Sequence, residues 1–313
     1  MAKAFVFPGQ GSQKVGMGAE LAAAFPAARE VFEEVDEALG QKLSRLMFDG
    51  PEDELTLTQN AQPALMASSI AVLRVVESEG GKPIEAMAAM VAGHSLGEYS
   101  ALVAAGALPL AVTARLLRLR GEAMQAAVPV GEGAMAALLG LEIDDARAVA
   151  QEASATGVCA VANDNSSGQA VVSGSKAAVE KAIALAAERG ARKSVLLPVS
   201  APFHCPLMQP AADAMAQALD GTNIAPPVVP VVANVTAAPE SAPATLRRLL
   251  VEQVTGTVRW RESVLAMKAH DIDTLAEMGT GKVLSGLVRR IDREMQGVSV
   301  ESPADVEAFL KTL

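Results

Sequence analysis

The sequence predicts an α/β fold with a largely parallel sheet, interrupted by a small inserted unit. Short apolar runs, such as AFVFP near the start and DIDTLAEMG near the end, alternate with longer segments whose apolar residues recur at helical spacing. Glycine or proline stands at many of the junctions between them. Across residues 130–199 the order becomes β-α-β-β-α-β, the split pattern of a ferredoxin-like unit. The expected organisation is one subdomain made of 1–129 and 200–313, with residues 130–199 as a second one inserted into it.

Each element has its own justification. AFVFP reads as a short buried strand ending at a Pro-Gly turn. Helices follow over 17–25, 27–39 and 61–79. AMAAMVAG (86–93) is ambiguous by periodicity; the flanking glycines favour a strand. LGEYSALVAAG and LAVTARLLRLRGEAMQAAV then read as two helices. Within the insert, GAMAALLG is a strand and DDARAVAQEASA a helix. VCAVANDN and QAVVSGS are strands joined by the polar loop NSSG, KAAVEKAIALAAERG is a helix ending at glycine, and RKSVLLPV is a strand. Beyond the insert, PVVPVVANV, DIDTLAEMG and VSVES return to strands alternating with helices.

Composition excludes several functions. The 313 residues are 50% apolar and 20% charged, enough for a large core and a smaller one. The net charge of −10 and an aromatic content of 3% argue against nucleic-acid binding, which needs a basic surface and stacking rings. No apolar run reaches membrane-spanning length, and the apolar stretch of MAKAFVFPGQ is too short for a signal peptide. Two cysteines, Cys159 and Cys205, lack metal-type spacing; they read as reduced thiols of a cytoplasmic protein. With three histidines and no cluster of ligands, no metal is expected.

The chemistry centres on VAGHSLGEYS. Gly93-His94-Ser95-Leu96-Gly97 fits G-x-S-x-G, the sharp strand-to-helix turn that exposes a serine hydroxyl in α/β-hydrolase-like folds. Glycine is needed on both sides because side chains there would meet neighbouring backbone. The helix N-terminus favours developing negative charge. A serine hydroxyl also needs a base. His94 adjoins Ser95 on a strand-like segment, so its side chain is expected to point away. His270 lies near a helix C-terminus, a place for capping carbonyls. His204, in VSAPFHCPLM, lies on a loop just past a predicted strand and is the favoured base. A third member is open: Asp144, Asp145 and Asp164 all fall in the insert, and a backbone carbonyl can orient the imidazole instead.

Five motifs in register, FVFPGQGSQKVGMG, GHSLGEYSAL, RLRGEAMQ, PVSAPFHCPLM and GTGKVLSGLVRR, resemble the malonyl-CoA:acyl carrier protein transacylases of type II fatty acid synthesis along essentially the whole chain. The resemblance implies an α/β-hydrolase-like core with a ferredoxin-like insert. It implies Ser95 as the acylated nucleophile, His204 as its base and the backbone N–H groups of Gln10 and Leu96 as the oxyanion hole. Gly9 and Gly11 would let the Gln10 loop come close to the turn. It implies that Arg120 holds the malonyl carboxylate, a role suited to the planar guanidinium fork, while Arg115 and Arg118 read as solvated. Phe203 would crowd out a methylmalonyl group, Asn163 in NDNSSGQ (163–169) would face the cleft, and the carbonyl of Arg259, before Trp260, would orient His204. Malonyl-CoA and acyl carrier protein are the implied partners, with no cofactor. A serine hydrolase using the same turn, or a catalytically silent docking subunit, are the alternatives. Lys282, Arg289, Arg290 and Arg293 fall at helical spacing; they form either a docking patch for an acidic carrier or a solvated face.

Overall fold

The structure is a computed structural model that describes residues 2–313. Its strands are β1 (Ala2–Phe7), β2 (Met90–Gly93), β3 (Gly133–Leu139), β4 (Cys159–Ser166), β5 (Gln169–Ser175), β6 (Lys193–Leu196), β7 (Val231–Ala233), β8 (Ala238–Glu240), β9 (Ile272–Met278) and β10 (Gln296–Val300). They form a six-stranded sheet of order β10-β9-β1-β2-β7-β8 and a four-stranded sheet of order β4-β5-β3-β6.

In the larger sheet β10, β9, β1, β2 and β7 run parallel, and only the edge strand β8 is antiparallel. Ala4 to Phe7 of β1 are fully buried, which is why this strand reads as a continuous apolar run rather than an alternating one. The register pairs Phe7 with Gly93. The turns leaving β1 and β2 therefore emerge side by side at the carboxyl edge of the sheet, where α/β folds gather their ligands. The ambiguous stretch 86–93 is a strand only over Met90–Gly93; a short 3-10 turn, Ile84–Ala86, precedes it.

The predicted helices are present with shifted ends. The one expected over 61–79 runs Thr58–Gly80 and is buried along most of its length, and Leu110–Ala126 packs against it. Elements not read from the sequence include β8 and the helices Glu52–Thr56, Gln209–Asp220 and Pro243–Thr255.

The smaller sheet is antiparallel throughout. Its helices, Ile143–Ala153 and Lys176–Glu188, cover it with a buried cluster of their own around Val149, Val172 and Leu185. The loop expected at NSSG is shorter than the sequence suggested: β4 continues to Ser166, leaving a tight turn at Ser167 and Gly168. Asn163 therefore sits in a strand, at a register irregularity, bridged to Val258 of the larger unit. Asp164, beside it, accepts two bonds from the guanidinium of Arg261, 3.0 Å from Nε and 2.9 Å from Nη2. Among the described residues no helix is long and apolar enough to cross a membrane.

Candidate active site

Ser95 follows β2 with φ 53°, in the left-handed region that non-glycine residues avoid. The turn closes so tightly that a Cβ on Gly93 would lie 1.9 Å from the Gly97 carbonyl carbon, and one on Gly97 would lie 2.3 Å from the Phe7 carbonyl oxygen. Side-chain amides clamp it. The Ser95 N–H donates to Asn234 Oδ1 at 2.8 Å, Asn234 Nδ2 donates to the Gly93 carbonyl at 2.6 Å, and Gln253 Nε2 donates to the Ser95 carbonyl at 2.9 Å. These bonds offset a conformation that costs roughly 1–3 kcal/mol.

His204 also has a positive φ, 57°. Its Nε2 lies 2.7 Å from Ser95 Oγ and its Nδ1 lies 2.9 Å from the main-chain carbonyl of Gln253. A carbonyl can only accept, so Nδ1 carries the proton and Nε2 is free to take one from the serine. Burial, and then the Arg120 charge, lower the imidazole to about 3, so it is neutral at physiological pH.

The expectation for Arg259 is overturned. Its carbonyl accepts from the N–H and the hydroxyl of Ser263, both at 2.9 Å, because Arg259 is the N-cap of the helix Trp260–Ala269. The carbonyl that meets the imidazole belongs to Gln253, in the last turn of Pro243–Thr255, where helix carbonyls lack intrahelical partners. None of the three aspartates takes that place: Asp164 is held by Arg261, and Asp144 and Asp145 are exposed on the helix Ile143–Ala153.

Arg120 is 1% exposed. Its Nη1 donates to Gln62 Oε1 at 2.7 Å, and its Nη2 donates to Gln253 Oε1 at 2.8 Å and to Ser95 Oγ at 3.2 Å. Nε has no partner, and among the described residues no carboxylate lies within salt-bridge reach of this guanidinium. A buried cation whose direct hydrogen-bond partners are all neutral, and which keeps an unused donor, suits an anionic ligand.

Ser95, His204, Arg120, Gln10, Leu96, Phe203 and Asn163 all line one cavity of about 440 Å³. Among the described residues, the N–H groups of Gln10 and Leu96 donate to no other protein atom. The Gln10 loop is seated against the turn: a Cβ on Gly9 would come within 2.8 Å of the His94 carbonyl oxygen. Gln10 is steadied by Thr58, whose hydroxyl donates to its side-chain oxygen at 2.9 Å.

His94 borders the same cavity, but its ring turns to Asn165, with Nε2 3.0 Å from Oδ1, and to Trp260, whose ring centroid is 5.9 Å away; the imidazole on Ser95 Oγ is that of His204. Arg118 is half-buried and holds Asn60 and Gln41, whereas Arg115 is exposed. His270 caps the carbonyl of Ala266 at 3.0 Å. Lys282, Arg289, Arg290 and Arg293 are exposed and lie outside the cavity lining.

Sequence reasoning missed Gln253, Asn234, Gln62 and Glu98. Only Glu98 left a signal. Ser95-x-x-Glu98 has capping-box spacing, but the carboxylate turns to Asn234 and Gln253 rather than back to the serine N–H.

With this geometry in place, comparison with known proteins becomes specific. The family model described as acyl transferase domain matches residues 4–303. A malonyl CoA-acyl carrier protein transacylase of Bacillus subtilis (strain 168) is 46% identical over 311 residues, covering 99% of this chain and 96% of its own. The crystal structure of an acyl-carrier-protein-S-malonyltransferase from Bartonella henselae is 55% identical, covers 100% of this chain and 99% of its own, and superposes with a TM-score of 0.97. A malonyl-transacylase solved in complex with a type II PKS acyl-carrier protein is 42% identical over 100% of both chains, with a TM-score of 0.96. Shared sequence and shared architecture extend over the whole chain together, and the chain belongs to the acyl transferase family.

Proposed function

We propose that this protein moves the malonyl group from malonyl-CoA to the phosphopantetheine thiol of acyl carrier protein, by way of a malonyl ester on Ser95. The observation that carries this reading is the placement of a buried guanidinium without a carboxylate partner 3.2 Å from a serine oxygen that is itself 2.7 Å from an imidazole. His204 Nε2 takes the hydroxyl proton as Ser95 Oγ attacks the thioester carbonyl. The oxyanion forms between the N–H groups of Gln10 and Leu96, each worth about 3 kcal/mol to such a transition state. Collapse breaks the carbon–sulfur bond, and His204 returns its proton to the departing coenzyme A thiolate. The carrier thiol then enters, gives its proton to His204 and attacks the ester; the acyl C–O bond breaks, and His204 returns that proton to Ser95 Oγ, restoring the free hydroxyl.

Arg120 holds the malonyl carboxylate and so selects it over acetyl. Phe203, on the cavity wall, limits the room beside the α-carbon. Docking of an acidic carrier on a chain of net charge −10 calls for a local basic face, which Lys282, Arg289, Arg290 and Arg293 supply. A buried cluster confined to the smaller sheet and its helices, separate from the two that pack the larger sheet, supports the division into 1–129 with 200–313 and an insert of 130–199. The two free cysteines fit a cytoplasmic setting.

Brief mixing with malonyl-CoA followed by mass spectrometry tests the proposal. A malonyl adduct on Ser95 that is discharged by holo-acyl carrier protein is the expected result. An adduct released as free malonate at the same rate with and without the carrier would make the protein a hydrolase instead.

A further inference from the structure

The two amides that clamp the nucleophile share one anchor. Glu98 Oε2 accepts from the Asn234 N–H at 3.0 Å and from Gln253 Nε2 at 2.8 Å. Asn234 receives the Ser95 N–H, while Gln253 reaches the Ser95 carbonyl, Arg120 and, through its main chain, His204. Glu98 is fully buried in the first turn of the helix Gly97–Ala104, and its Oε1 has no partner.

The Gln253 amide lies between a carboxylate and a guanidinium. Its NH₂ faces Glu98 and its oxygen faces Arg120. The opposite rotamer would set an oxygen against a carboxylate and N–H groups against a cation. An ionised Glu98 therefore selects the one amide orientation that holds Arg120. Resting on the acyl-transfer reading, we propose that Glu98 is a positioning residue, whose ionised carboxylate fixes the Gln253 amide and through it sets Arg120 and Ser95 for loading of the malonyl group.

The same geometry makes the device sensitive to pH. Burial pushes Glu98 up to about 7, against the opposing pull of Asn234, Gln253 and Arg120. A protonated Glu98 is no longer the counter-charge relayed to Arg120, and a neutral acceptor holds its donors about half as strongly. The charged or titratable groups around it are Arg120 from the helix Leu110–Ala126, Tyr99 beside it, and His204 and His94 at the cavity. Arg120 and His94 also bear on His204, and Glu98 bears on Tyr99. The packed strands β1, β2 and β7 bring only Lys3, which binds the Thr312 carbonyl. On the helix Thr58–Gly80, Arg74 pairs with Glu77 and Glu79 lies in the same final turns. On Pro243–Thr255, Arg248 pairs with Glu252 and Arg247 binds the Thr222 carbonyl. Burial and the Arg120 charge keep His204 below its ordinary value, and the comparison of wild type with E98Q decides whether an acid limb near neutrality belongs to Glu98.

The test is rapid-quench measurement of Ser95 malonylation across pH 5.5–9 in the wild-type protein, E98Q, E98D and Q253A, each normalised to folded protein. Wild type is expected to slow on the acid side with a midpoint at about 7. E98Q is expected to load at least tenfold more slowly at pH 8, to lose the acid limb, and to change kcat more than KM. E98D should recover part of both rate and limb. An E98Q protein with the wild-type rate, or a slower one that keeps the limb, overturns the proposal. Should E98Q not fold, Q253A decides: it keeps the carbonyl at His204 and removes only the amide, so a limb intact in Q253A also overturns it. A wild-type protein that forms no malonyl-Ser95 removes the acyl-transfer reading itself, whereas wild-type loading matched by E98Q removes only the role of Glu98.

Discussion

Arg120 Nη2 lies 3.2 Å from Ser95 Oγ, on the same oxygen that His204 Nε2 approaches to 2.7 Å. Ser95 thus sits between an imidazole and a buried cation, and under the proposed function the charge that would select the substrate also bears on the group that would activate the serine. Arg120 is the second cause, after burial, of the lowered His204 value. Under the proposed function, a substrate carboxylate paired with Arg120 would offset that charge and make the imidazole a better base at the moment of attack.

Substitution of Arg120 should separate binding of the acid group from acyl transfer itself. In R120A, malonyl transfer is expected to fall by about 10²-fold, the scale of a lost charge-assisted pair, while acetyl transfer is unchanged or faster. Parallel transfer assays with the two acyl-CoA donors check this; an undiminished preference for malonyl would remove Arg120 from the site.

Loss of either reacting side chain has a distinct signature. S95A should retain no acyl group after mixing with malonyl-CoA. H204A should acquire it about 10²–10⁴-fold more slowly, the range for removal of a general base. Intact-mass measurement over time reads both, and stable labelling of S95A would point to another nucleophile.

Phe203, 8% exposed on the cavity wall, should govern the width of the acyl site. F203A is expected to raise the rate with methylmalonyl-CoA relative to malonyl-CoA by roughly tenfold or more, in line with the worth of one methyl group in an apolar pocket. A competition assay with both donors gives the ratio directly, and an unaltered ratio would leave Phe203 as packing only.

Two buried groups should shape stability against pH in opposite senses. His204 is lowered from 6.5 to about 3 in the folded protein. Between those values the unfolded chain takes up a proton that the folded one refuses, so this group's contribution to stability falls as pH drops from 6.5 towards 3. Glu98 is raised from 4.5 to about 7. Between those values the folded protein holds a proton that the unfolded chain has lost, so its contribution grows as pH falls from 7 towards 4.5. Melting curves at half-unit pH steps should show a shallower acid decline in H204A than in wild type, and a steeper one in E98Q.

The turn itself tolerates no added carbon. G93A and G97A each drive a Cβ into backbone that cannot move aside, and should cost about 3 kcal/mol or more, at or beyond the upper end for overpacking. Thermal unfolding or the soluble yield measures this. A near-wild-type melting temperature in either would mean that the turn opens more readily than its contacts imply.

Local pattern carried much of this molecule. Helical periodicity marked Leu110–Ala126 and, apart from its first turn, Thr58–Gly80. The glycines of GHSLG marked the strand-to-helix turn at Ser95, and the β-α-β-β-α-β order marked the smaller sheet. Such features are written in side-chain spacing and in residues with special backbone freedom, and both are visible one segment at a time. The meeting of Ser95, His204 and Arg120 in one cavity was expected from motif resemblance. The partners that hold them were not. A main-chain carbonyl has no residue type, so only the packed helix Pro243–Thr255 reveals that Gln253, and not Arg259, meets His204. Asn234, Gln62 and Glu98 are ordinary polar residues in sequence; they matter because strands and helices far apart in the chain close around one buried turn, where each polar group must find a partner. The sequence by itself determined the turn, the smaller sheet with its helices and the chemical types at the site. Tertiary structure alone decided which atoms hold them, because hydrogen bonds between distant segments depend on how those segments pack and not on how they are spaced.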